Sequence, residues 1–197
     1  MGREITFEYF VDGKRTPFSY NSDSPIKEDY LYVCGRDDVT NFIANYIIDR
    51  WDSRIEADCE KAGETEIGED FLCPYVIFTL AAPTTDGFKP NEPYHNGFSR
   101  EAYLCFLDEI KEYYLANEKE IGRCETRINR AYVASGNAQT FAAFSEFMDG
   151  IDSLTEEKEY YESARVRHIY PPLEYFSRLT DTRESEHLYQ IRISLSE

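Results

Sequence analysis

Ile5, Phe7, Tyr9 and Val11 alternate with Glu4, Thr6, Glu8 and Phe10 at the start of the chain. A period of two predicts a half-buried strand. Asp12-Gly13 supplies a two-residue hairpin turn, with Phe18 and Tyr20 on the returning arm. Pro17 in that arm marks it as an edge strand. Tyr30 to Cys34 is a short apolar run that predicts a more central strand, and Phe71 to Ala81 is another, interrupted by Pro74. At the far end Tyr189, Ile191, Ile193 and Leu195 alternate with Gln190, Arg192 and Ser194. That alternation predicts a C-terminal strand docked in the sheet.

Between these strands the apolar spacing changes to three and four, which predicts helices. Asp37 or Asp38 caps a helix with Val39, Phe42, Ile43, Tyr46, Ile47, Trp51 and Ile55 on one face, ending near Gly63. Ser99 caps a second, carrying Tyr103, Phe106, Leu107, Ile110 and Tyr114, with a stripe continuing through Ile121, Ile128 and Tyr132. Asn137 is expected to cap a third helix through Phe141, Phe144, Met148 and Ile151, with Gly150 marking its end. Ser153 and Glu156 have the spacing of a capping box, so a fourth helix is expected to about Arg167, stopped by Pro171-Pro172. Leu173 to Leu179 suggests one further short helix.

Strands and helices are largely segregated along the chain, which favours an α+β fold over a doubly wound parallel sheet. The expectation is a small, mostly antiparallel sheet packed with four or five helices. With 197 residues the chain reads as a single domain over 1–197, with a helical subdomain over 99–180 as the one subdivision considered. Residues 82–97 hold Pro83, Pro90 and Pro93 and form the longest irregular stretch, a candidate lid or a plain surface connection.

Composition narrows the function classes. There are 38 Asp+Glu against 21 Lys+Arg, a formal charge of -17. Such a field repels polyanions, so direct nucleic-acid binding is not expected. Sixteen Tyr and 13 Phe supply a real core and exclude an acidic disordered tail. No apolar run reaches the roughly 20 residues of a membrane span, and no signal-peptide pattern opens the chain; a cytoplasmic protein is expected. The five cysteines, Cys34, Cys59, Cys73, Cys105 and Cys124, include no CxxC pair, so free thiols are expected.

The charge is unevenly placed. Residues 49–70, 101–125 and 146–162 carry -6, -4 and -6, whereas 126–145 carry +2. Asp49, Asp52, Glu56 and Glu60 follow spacings of three and four and so share a helix face. Glu101, Asp108 and Glu112 repeat the arrangement on the second helix, and Glu156, Glu157, Glu159 and Glu162 crowd the fourth. Ridges of carboxylates about 6 Å apart imitate the charge spacing of a nucleic-acid strand. A solvated, solubilising surface is the plain alternative. Tyr113, Tyr114, Tyr160 and Tyr161 interleave the ridges as candidate apolar anchors.

Catalytic signals are sparse. His95, His168 and His187 form no ligand pair, so no metal is expected. Asp149 to Glu156 lacks the oxygen and glycine positions of an EF-hand loop. No phosphate-loop, dinucleotide or nucleophile-elbow motif occurs, and neither a cofactor nor a catalytic set is assigned. In character the composition resembles small inhibitors carried by phages and mobile elements, which block nucleic-acid-binding defence machinery by imitating DNA. The expectation is therefore a non-enzymatic, acidic, protein-binding inhibitor whose partner is the basic surface of a nucleic-acid-binding complex, of restriction or CRISPR-like type. The alternatives are a small enzyme with a site near the 82–97 loop and Cys34, and a scaffolding protein.

Overall fold

A computed structural model describes residues 3–16, 31–62, 74–83, 98–179 and 185–196, without the side chains of 31, 52–62 and 179. Among the described residues five strands make an antiparallel sheet: β1 (Arg3–Val11), β2 (Lys14–Thr16), β3 (Leu31–Gly35), β4 (Tyr75–Ala81) and β5 (Tyr189–Ser196). Its order is β2-β1-β5-β4, with β3 sharing the β2 side of β1. The helices are α1 (Asp38–Ala62), α2 (Arg100–Ser135), α3 (Phe141–Glu162) and α4 (Val166–Leu179). An α+β fold with a small antiparallel sheet is thus present.

The alternation in β1 and β5 sets the register. Ile5 lies opposite Leu195, Phe7 opposite Ile193 and Tyr9 opposite Ile191, all buried on one face. Val33, Val76, Phe78 and Leu80 extend that face. A slip of one residue would turn this whole set outward. The hairpin turn carries positive φ at both central residues, 50° at Asp12 and 75° at Gly13, the pattern of a type I′ turn. The expected β2 residues Phe18 and Tyr20, with Pro17, lie outside the described residues, as do Tyr30 and the 71–73 start expected for β4.

The chain separates into two compact units, 1–108 with 171–197 and 109–170. In the first, Asp37 caps α1: its Oδ1 accepts from the Thr40 backbone N–H and hydroxyl, both at 2.9 Å. Val39, Ile43, Ile47 and Trp51 recur every fourth residue and are buried, and α1 lies against β1, β3, β4 and β5. The α2 N-terminus adds Tyr103, Phe106 and Leu107. Rings of Tyr46, Phe78, Tyr103 and Phe106 meet at centroid distances of 4.7–6.5 Å. The Tyr103 hydroxyl donates to the Leu173 carbonyl at 2.8 Å, so this buried polar tip is satisfied.

The second unit is a helical hairpin of α2 and α3 with the start of α4. Here the expected helix divisions are corrected. Gly150 does not end a helix and Ser153 does not begin one: α3 runs unbroken through both. A helical glycine costs roughly 1 kcal/mol relative to Ala, and the burial of Ile151 next to it outweighs that. Thr140, not Asn137, caps α3, accepting from the Ala143 N–H at 3.2 Å. Asn137 instead donates to the Val133 carbonyl at the end of α2. Pro171 and Pro172 lie inside α4 rather than stopping a helix. Their rings remove two backbone hydrogen bonds, offset by burial of Pro172, Leu173 and Phe176 in the first unit.

Candidate functional site

The described carboxylates with the clearest common orientation lie on α3. Glu146, Asp149, Asp152, Glu156 and Glu159 are all exposed. At 100° per residue they fall within about 140° of arc, on the side of α3 away from the buried Ile151. Among the described residues none of the five is engaged in an ion pair. The 14 residues from Glu146 to Glu159 span about 20 Å of helix axis. A single DNA strand carries about six phosphates over that length.

This ridge differs from the one read in the sequence. Of Glu156, Glu157, Glu159 and Glu162, only Glu156 and Glu159 belong to it. Glu157 is turned toward Arg127 of α2 at 3.6 Å, and Glu162 toward Lys158 at 3.2 Å. Lys158 also holds Glu125 of α2 at 3.0 Å, and these two carboxylates raise its pKa, Glu125 first. The basic stretch 123–130 therefore covers part of the acidic block within the hairpin. Because the helix starts at Phe141 rather than Ser153, Glu156 and Glu157 gain nothing from the N-terminal dipole. The last turn of α3, at the dipole's negative end, contains no basic residue. Glu146, Asp149 and Asp152 escape a reading that breaks the helix at Gly150, yet their spacing of three was visible once Phe141, Phe144, Met148 and Ile151 are taken as one stripe.

On α2, Glu101, Asp108 and Glu112 are exposed, with exposed Cys105 completing the four-, three- and four-residue spacing. Glu101 and Asp108 belong to the first unit and Glu112 to the second. On α1, Asp49 is exposed. The side chains of Asp52, Glu56 and Glu60 lie outside the described residues. Of the interleaved tyrosines, Tyr160 is 72% exposed beside Glu156 and Glu159. Tyr161 turns inward, its pKa raised chiefly by burial. Tyr114 stacks on Tyr170 at 4.8 Å and Tyr113 is half-buried.

The catalytic alternative concerns Cys34 and the 82–97 loop, which includes His95. Cys34 lies in β3 opposite Glu4 of β1, on the sheet face away from the core. Its neighbour Tyr32 has a pKa pushed up to about 12, first by its hydrogen bond to Glu4. His95 and 84–97 lie outside the described residues, as do Cys73 and the Cys59 side chain. Cys124 is buried and its thiol pKa is raised by burial. His168 is exposed, while His187 Nδ1 lies 2.7 Å from Asp12 Oδ2. Among the described residues no three His, Cys, Asp or Glu side chains are placed to hold a metal ion, and no helix is long and apolar enough to cross a membrane.

Comparison with known proteins finds no family model, no curated protein and no solved structure that matches this chain.

Proposed function

We propose that this chain is a non-enzymatic binding protein whose carboxylate ridges occupy a basic, nucleic-acid-binding surface of another protein. Its most concrete form is a DNA-mimicking inhibitor of phage or mobile-element type, acting on a restriction or CRISPR-like complex. The α3 ridge carries this reading: five exposed carboxylates on one side of a helix, without basic partners among the described residues. Carboxylates retained only for solubility need no common orientation. Here like charges recur three and four residues apart, where each adjacent pair costs a few tenths of a kcal/mol. A basic cleft would relieve that repulsion on binding and would be found quickly through long-range steering.

The test is affinity capture from cells of the encoding organism, with wild type and a variant carrying Glu146→Gln, Asp149→Asn, Asp152→Asn, Glu156→Gln and Glu159→Gln. Wild type should retain a nucleic-acid-binding protein at low salt and release it at high salt. The five-site variant should retain none. Equal capture by both would remove the ridge as the interface.

A further inference from the structure

The apolar seam between α2 and α3 is closed at one end of the hairpin and open at the other. On α3 the seam residues are Ile151, Met148, Phe144 and Phe141, at intervals of three and four toward the turn. Exposure rises steadily along them: 2% at Ile151, partial at Met148, 42% at Phe144 and 85% at Phe141. Near the turn the half-buried residues of α2 are Ala131, Ala134 and Ser135, all too small to cover two phenylalanines. Tyr132, 53% exposed, flanks it from α2. Burying three such rings fully would remove on the order of 350 Å² from water.

Helical phase decides which charges border this patch. In an antiparallel hairpin, residues displaced in the same rotational sense from the contact line emerge on the same side. Phe141, Phe144 and Met148 on α3 and Tyr132 on α2 share one side. The Arg127–Glu157 pair, 3.6 Å apart, lies on the other. Asp152 borders the patch one turn beyond Met148, and Glu159 continues the same side, about 16 Å from Met148 along α3. Glu125 of α2 stands at that level, held by Lys158, and beyond it Arg167 holds Glu118 at 2.8 Å. Lys158 sits on the contact line itself, held by Glu125 and Glu162. A second copy presenting the same side would set carboxylates against carboxylates, between chains of charge -17. An anionic bilayer would meet the same repulsion.

We propose that this side of the hairpin receives a basic amphipathic helix of the partner. Its apolar stripe completes a three-helix arrangement over Phe141, Phe144, Met148 and Tyr132, and its Lys or Arg side chains reach Asp152, Glu156 and Glu159. This rests on the reading of the α3 ridge as a contact for basic surfaces and adds that the contact has an apolar anchor. Helix-in-groove recognition of this kind reads residues i, i+3, i+4 and i+7 of the incoming helix.

The test uses two synthetic 18-residue Leu/Lys peptides of one composition, one with its leucines on a single helical face and one scrambled, together with polylysine. Binding is followed by anisotropy of labelled peptide and by circular dichroism. The amphipathic peptide should bind at least tenfold tighter than the scrambled one and gain helix on binding. Phe141→Ser, at a site too exposed to unfold the hairpin, should erase that tenfold preference while polylysine binds as before. Equal binding of the two peptides, or a preference that survives Phe141→Ser and Phe144→Ser, would overturn the proposal while leaving the ridge standing. Loss of polylysine binding on Phe141→Ser would also overturn it, because patch and ridge would then not be separable. Self-association in sedimentation that Phe141→Ser abolishes, or patch-dependent binding to phosphatidylserine vesicles, would assign the patch to a second copy or a bilayer and overturn the proposal equally. No polylysine binding at all by wild type would refute the ridge itself.

Discussion

Neutralising the α3 ridge should make the isolated protein more stable, not less. The perturbation is the five-site amide variant, Glu146→Gln, Asp149→Asn, Asp152→Asn, Glu156→Gln and Glu159→Gln. Neighbours along the ridge are three, three, four and three residues apart, which makes four like-charge pairs. Each costs about 0.2–0.5 kcal/mol, so relief amounts to about 1–2 kcal/mol. Glu159 adds a further few tenths, because it sits in the last turn where the helix dipole is negative. None of the five takes part in an ion pair within the described residues, so nothing of comparable size is lost. For a chain of this length the gain corresponds to roughly 2–8 °C in Tm. The assay is thermal unfolding in about 20 mM and 500 mM NaCl, where screening lengths differ severalfold. Wild type should gain stability with salt, and the variant should already be near that value at low salt. A variant that melts below wild type at low salt would refute the reasoning, because these carboxylates would then be making structural contacts.

Three further outcomes follow from named contacts. Tyr103→Phe deletes the buried hydrogen bond to the Leu173 carbonyl and should cost about 1–2 kcal/mol in urea unfolding; an unchanged midpoint would mean that water replaces the hydroxyl. Ile151→Ala removes the most buried seam residue of α3 and should cost about 2–5 kcal/mol, with earlier amide exchange in the α2–α3 hairpin than in β1 and β5. Asp12 accepts from the Leu188 N–H and pairs with His187, and these lower its pKa, the backbone bond first. Its stabilisation is therefore present above the unfolded carboxylate value near 4 and disappears as pH falls through the lowered folded value. Asp12→Asn keeps a residue suited to positive φ, so its Tm difference from wild type should shrink between pH 5 and pH 3. A difference constant over that range would contradict the assignment.

The strands were legible because half-buried antiparallel strands write their register into a period of two. Ile5, Phe7 and Tyr9 against Ile191, Ile193 and Leu195 carry it, and Asp12-Gly13 has the chemistry that its positive φ values need. The helix ends near Gly150, Ser153, Asn137 and Pro171 were not legible, for one common reason. Glycine, serine, asparagine and proline there have local preferences worth about 1–3 kcal/mol, and long apolar stripes outweigh them. Ile151 continues the stripe across Gly150, and Leu173 and Phe176 continue α4 beyond the two prolines. That error carried into the site. With the helix broken at Gly150, Glu146, Asp149 and Asp152 lost their phase relation to Glu156 and Glu159. Glu157 and Glu162 looked equivalent to their neighbours because only the fold brings Arg127 of α2 to face α3.

The most direct measurement is displacement. A protein captured on this chain is first bound to labelled duplex DNA, and the chain is then titrated in at physiological salt while the DNA signal is followed. Release of DNA in step with binding, absent for the five-site variant, is the predicted result. A stable ternary complex in which the DNA stays bound would contradict the claim that the carboxylates of α3 take the place of phosphates.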